Sequence, residues 1–128
     1  MRLLLDTHTI VWVMNDNRQL SQAARSAIAS PRNPVYASAA SIWEVSTKFR
    51  LGKFADAALL VDNPRKVLDS LEIEVISISL EHANLAGAFG HPHKDPFDRM
   101  LAAQALLERL TLVSADKIFD EYAVTRLW

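Results

Sequence analysis

The chain has 128 residues, half of them hydrophobic, with 14 Lys plus Arg against 15 Asp plus Glu. A near-neutral balance excludes nucleic-acid binding through bulk charge and leaves only a local basic patch for it. The lack of cysteine excludes disulfides and thiolate metal sites, and no apolar run approaches the roughly 20 residues that span a bilayer. The length suits one domain over residues 1–128. "MRLLLDTHT" is too short an apolar stretch for a signal peptide, so a cytoplasmic location is expected.

"RLLLD" is a continuous apolar run closed by a carboxylate, the pattern of a strand buried on both faces in a parallel sheet. "THTIVWVMN" follows as a helix, with a threonine or Asp6 as its cap. "LSQAARSAIAS" is an Ala-rich helix stopped by "PRNP". "VYAS" is a second strand, and "SAASIWEVSTKFRLGK" a helix with Ser38 as N-cap and Gly52 as its stop. "GKFADAALLVDNP" reads as a helical connection, and "NPRKVLDSLE" as a helix with Pro64 in its first turn. "IEVISIS" is β-branched and reads as a strand. "SLEHANLAGAF" is a helix capped by Ser79, and "DPFDRMLAAQALLERL" is the clearest helix of the chain. "TLVSAD" repeats the opening pattern of apolar run then aspartate, "KIFDEYA" is a short helix and "VTRLW" a last strand. Strands alternating with helices predict an α/β fold on a mostly parallel sheet.

The acids fall at telling places. Asp6 ends the first strand and Asp116 follows the "TLVS" strand, and in an open parallel sheet ligands bind beyond the carboxyl ends of the strands. Asp95 and Asp98 open the "DPFDR" helix, and Glu44 lies in the helix leaving the second strand. Unpartnered carboxylates brought together repel, and a hard divalent cation relieves them. An all-oxygen donor set without cysteine favours Mg²⁺ or Mn²⁺ over Zn²⁺ and suits displacement at phosphorus, as in a nuclease or phosphatase.

Each acid also has a purely structural reading. Asp95 before Pro96 is an N-cap with Pro at N1, Asp98 suits the positive end of the helix dipole, Asp6 and Asp116 can cap the helices after them, and Glu44 can pair with Lys48 across one turn. His91 and His93 read as loop surface, His8 as core or rim, and His82 as an exposed helix residue. Trp12, Trp43 and Trp128 suit a core or an interface. Arg99 can face a phosphate or an acid, and Lys48, Arg50 and Lys53 form a small basic cluster that can carry an RNA backbone or simply face solvent.

Taken together, "LLLDTHTIVW", "SAASIWEVSTKFRLGK", "HKDPFDRMLAAQA" and "LTLVSADKIFDEY" resemble, in order and nearly end to end, the motifs of a PIN domain. The closer resemblance is to the VapC-type toxins of bacterial toxin–antitoxin pairs. It implies a PIN-like three-layer α/β/α sandwich with a central parallel sheet. It also implies a metal-dependent endoribonuclease in which Asp6, Glu44, Asp98 and Asp116 form the catalytic pocket. Asp6 and Asp98 would be the chief ligands of Mg²⁺ or Mn²⁺, with Ser114 and Thr7 in support. Further implications are an antitoxin partner, whose basic side chain can enter the acidic pocket, an RNA substrate and a homodimer. The "FGHPHKDP" lead-in departs from the leucine-proline step expected there. A noncatalytic Mg²⁺-binding regulatory or partner-binding α/β domain is the alternative. A receiver-like module would want a second acid beside the first strand, and a phosphatase of the Asp-x-Asp type would need an acid at position 8, which is His8.

Overall fold

A computed structural model describes residues 1–128. In chain order it comprises β1 (Leu3–Leu5), α1 (Thr7–Met14), α2 (Gln22–Ala29), β2 (Val35–Ser38), α3 (Ala39–Arg50), α4 (Ala58–Asp62), α5 (Pro64–Ser70), β3 (Ile73–Ile76), α6 (Leu80–Ala88), α7 (Pro96–Leu107), β4 (Thr111–Val113) and β5 (Arg126–Leu127). Short 3₁₀ segments occupy Ala55–Ala57 and Lys117–Tyr122. The strands form one sheet in the order β3-β2-β1-β4-β5, and every pairing is parallel. No helix is long and apolar enough to cross a membrane.

β1 is central, which explains its unbroken leucine run. Successive side chains of a strand point to opposite faces. Leu3 and Leu5 therefore join Val113, Ile10, Val11, Ala24, Val45 and Leu68 in one core cluster, while Leu4 joins Leu112, Leu101, Ala105 and Phe119 in another. Helices α1 to α5 supply the first layer. Helix α7 and the Lys117–Tyr122 turn cover the other face, with α6 packed on α7. The result is the expected α/β/α sandwich on a parallel sheet.

Several local expectations shift. Asp6, not a threonine, caps α1, its carboxylate accepting from the Thr9 amide. "KIFDEY" is the short helix expected, wound as 3₁₀. β3 ends at Ile76 because its one partner strand, β2, ends opposite it at Ser38 and turns into α3. His82 is buried, not exposed. Its Nδ1 accepts from the Ser79 amide, completing a capping box at the start of α6, and its Nε2 lies 2.9 Å from Oε1 of Glu108, the residue that ends α7. Both ring nitrogens are thus partnered, which removes the cost of burying them. Gly52 ends α3 in the left-handed region (φ 82°), as its placement predicted.

Leu4→Ala opens a cavity under a side chain with no solvent exposure, at a cost of about 3 kcal/mol. Thermal denaturation should show a melting temperature lower by about 10 °C. Leu80→Ala, at a side chain 81% exposed, should stay within about 2 °C of the parent.

Candidate functional site

Beyond the carboxyl ends of β1 and β4, where the strand order reverses, lies a cavity of 150 Å³ lined by Asp6, Thr7, His8, Glu44, Lys48, Asp95, Asp98, Asp116 and Phe119. Such reversals are where parallel sheets place ligands, because the loops from the two strands run to opposite sides and leave a crevice. The cavity gathers all four acids expected of the site, together with Asp95.

Their positions follow from local structure. Asp6 is buried where β1 becomes α1, held by the Thr9 amide at 2.8 Å and by the hydroxyl of Ser114, the residue after β4. Asp116 is exposed, two residues further on, and caps the 3₁₀ turn through the Ile118 amide. Asp95 caps α7 as expected, accepting from the amides of Phe97 and Asp98. That cap leaves Asp98 in the first turn, where His93 Nε2 meets its Oδ2 at 2.9 Å. Glu44 is buried on α3, receives a 2.6 Å hydrogen bond from Thr7 Oγ1 and pairs with Lys48 one turn on.

The crowding is visible in proton affinities. Burial pushes the Asp98 carboxyl up to about 6 from 3.8; the charges of Asp95 and Glu44 add to the rise, and the His93 hydrogen bond opposes it. Burial likewise raises Asp6, against the stabilising hydrogen bonds from Ser114 and Thr9. Burial alone would lower the Lys48 ammonium, but its bond to Glu44 and the charges of Glu44, Asp95 and Asp98 outweigh that and raise it. The donor set is oxygen-rich and electrostatically strained, which is the environment a hard divalent cation relieves. No three acid or imidazole side chains stand close enough together to grip an ion as they are now disposed. Each principal carboxylate is instead engaged by a donor of the chain: Asp6 by Ser114, Glu44 by Lys48 and Thr7, Asp98 by His93.

Some roles differ from the sequence reading. Lys48 leaves its basic neighbours, the exposed Arg50 and Lys53, and turns into the acidic cavity. Thr7 supports Glu44 rather than Asp6. His8 sits exposed at the rim. Arg99 pairs with no acid: it donates to the carbonyls of Ala86, Gly87, Phe89, His91 and His93, tying the end of α6 and the "FGHPH" lead-in to α7. Of the two loop histidines, His93 is half-buried against Asp98, and His91 holds Glu121 at 2.6 Å. Only Lys48 left a sequence signal, its spacing from Glu44. The histidine and arginine contacts depend on how the loop folds back.

Comparison with known proteins places the fold. A family model described as "PIN domain" matches residues 3–124. No curated protein matches the sequence. Among solved structures, the chain is similar to VapBC2 from Rickettsia felis bound to a DNA fragment from its promoter (TM-score 0.70, 17% identity, covering 99% of this chain and 98% of that one). It is similar to VapC20 of Mycobacterium tuberculosis, a sarcin-ricin loop cleaving toxin (TM-score 0.66, 16% identity, 96% of each chain). It is also similar to a toxin-antitoxin complex from Klebsiella pneumoniae (TM-score 0.65, 20% identity, 98% and 96%). At these identities the likeness shows the fold.

The Asp98 carboxyl binds its proton more tightly folded than unfolded, so its contribution favours the folded state below about pH 4 and is lost as pH rises through about 6. Asp98→Asn removes that penalty. After discounting for partial exposure, metal-free variant protein should be about 1 kcal/mol more stable than the parent at pH 7.5, read as a melting temperature a few degrees higher. The gap should close by about pH 4.

Proposed function

The chain belongs to the PIN-domain family, and we propose that it is a metal-dependent endoribonuclease acting as the toxin of a toxin–antitoxin pair. The observation that carries this reading is the convergence of Asp6, Glu44, Asp95, Asp98 and Asp116 on one cavity at the sheet's reversal point. Five carboxylates there serve no fold-stabilising purpose jointly, since burial raises the proton affinities of Asp6 and Asp98 and the charges of Asp95 and Glu44 raise that of Asp98 further.

Asp6 and Asp98 would hold Mg²⁺ or Mn²⁺, with Glu44 and Asp116 completing the site through waters. Such an ion, when bound, supplies an acidified water and offsets charge on phosphoryl oxygens. The chain's own groups orient the carboxylates: the Thr9 amide and Ser114 hydroxyl fix both Asp6 oxygens, and the Thr7 hydroxyl fixes Glu44. Lys48 is the cavity's one ammonium group, able to meet a phosphate oxygen of the substrate. No side chain is required as a covalent nucleophile, and a carboxylate can take the proton of the attacking water.

A protein partner follows from the same electrostatics. An acidic cavity is complementary to a basic side chain, and one of the similar structures is by name a toxin-antitoxin complex. We propose an antitoxin as partner and, on the resemblance to VapC-type toxins, a homodimer as the free form, with the cytoplasm as the location.

Purified full-length protein should cut RNA with Mg²⁺ or Mn²⁺ and lose activity in EDTA. Asp6→Asn and Asp98→Asn should each reduce cleavage by at least about 100-fold, more than the loss typical of outer-sphere partners. Cleavage by both variants at the parent's rate would end the assignment. Induced expression should arrest growth, and mapping the new 5′ ends would name the RNA.

A further inference from the structure

We infer that a second cleft, sharing His8 with the acidic cavity, binds a nucleobase next to the cleavage point in a single-stranded RNA. The inference rests on the nuclease reading above and names how the substrate is held. The cleft measures 450 Å³ and is lined chiefly by His8, Trp12, Gln19, Phe54 and Asp56, a size within the range of small-ligand sites. Three rings form one aromatic group there: His8 lies 4.8 Å from Phe54 and 5.6 Å from Trp12, centroid to centroid. Trp128 backs Trp12 from behind at 5.7 Å, so the wall is braced.

Several features single this wall out. His8 is exposed, and Trp12 and Phe54 are only half-buried, so the rings are not simply core. Phe54 sits in the left-handed region (φ 53°, ψ 45°), a conformation that bulky residues avoid and that tends to be kept at ligand sites. Lys48 links the two cavities: it lines the acidic one, and its Nζ lies 5.8 Å from the Phe54 ring centroid. A phosphodiester reaching the carboxylates past Lys48 would bring its neighbouring base against these rings.

The chemistry of the cleft favours a base over a phosphate or a cation. Stacking on aromatic side chains is how sequence-tolerant single-strand binders hold bases. The cleft carries no lysine or arginine to attract a phosphate, and Asp56 would repel one. The exposed Gln19 amide and the Asp56 carboxylate, which also accepts from Asn15 at 3.3 Å, offer the donor and acceptors that read a base edge. An unpaired base is required, because one held in a duplex cannot reach the cleft.

The test uses full-length Asp98→Asn protein, which does not consume its ligand, in Ca²⁺. Fluorescence anisotropy is read with two probes of equal length: a short single-stranded RNA of mixed sequence and the same sugar-phosphate strand lacking bases. The RNA should bind at least about tenfold more tightly than the abasic strand. Adding Phe54→Leu or His8→Ala should each weaken RNA binding about five- to tenfold and shrink that difference. Phe54→Leu keeps an apolar side chain in the wall; should it fail to fold by melting temperature, His8→Ala at the exposed rim carries the test. Equal binding of the two probes, or cleft variants that bind RNA like their parent, would overturn the inference and leave the cleft to a segment of the protein partner. Absence of any RNA binding by the Asp98→Asn parent would instead overturn the nuclease reading, and this inference with it.

Discussion

The junction of β1 with α1 is the point on which the rest of the structure hangs. Asp6 is the first residue beyond a fully buried strand, so its carboxylate is carried into a partly desolvated position. It is tolerated there because the Thr9 amide and the Ser114 hydroxyl both donate to it. The same side chain therefore caps a helix and ties the ends of the two central strands together. A residue that only capped α1 would have no need of Ser114, and one that only bridged the strands would have no need of the cap.

The other carboxylates are stationed around this fixed point by separate devices. Asp95 and Pro96 start α7 so that Asp98 falls in its first turn. Ser38 starts α3 so that Glu44 faces inward beside Thr7. Arg99 binds five carbonyls and so sets the loop that brings His93 to Asp98. The fold thus holds several like charges near one another and meets the cost with an ammonium, an imidazole, two hydroxyls and the backbone amides that the caps accept from. Those donors engage the carboxylates one by one, which accounts for a cavity rich in acids whose side chains are not drawn together as a ligand set.

On the proposed reading, the two cavities would divide a nuclease's work along chemical lines. The acidic one is almost wholly polar in its lining residues and sits over the sheet's reversal point, while the neighbouring cleft presents rings. His8 belongs to both. An RNA strand has a charged backbone and flat bases with stacking faces and polar edges, and the two surfaces would offer one environment for each.

Much of this was legible before any coordinates. The all-leucine β1, the "TLV" run and the helix caps Ser38, Ser79 and Asp95 are local signals, because burial on both faces of a strand and an unpaired amide at a helix start each act within a few residues. The acids could be placed on one edge because a parallel sheet sends all its carboxyl ends the same way. What only the tertiary structure decided lies in contacts between segments distant in sequence: the Asp6–Ser114 bond across 108 positions, Thr7 against Glu44, His82 buried between α6 and Glu108, and Arg99 gathering carbonyls instead of an anion. The pairing of Lys48 with Glu44 is announced by their one-turn spacing, but only the fold shows that it faces the acidic cavity, away from Arg50 and Lys53. Sequence spacing determines which residues can share a helix face or a strand end; which partner a long polar side chain takes depends on what the folded chain has already placed within reach.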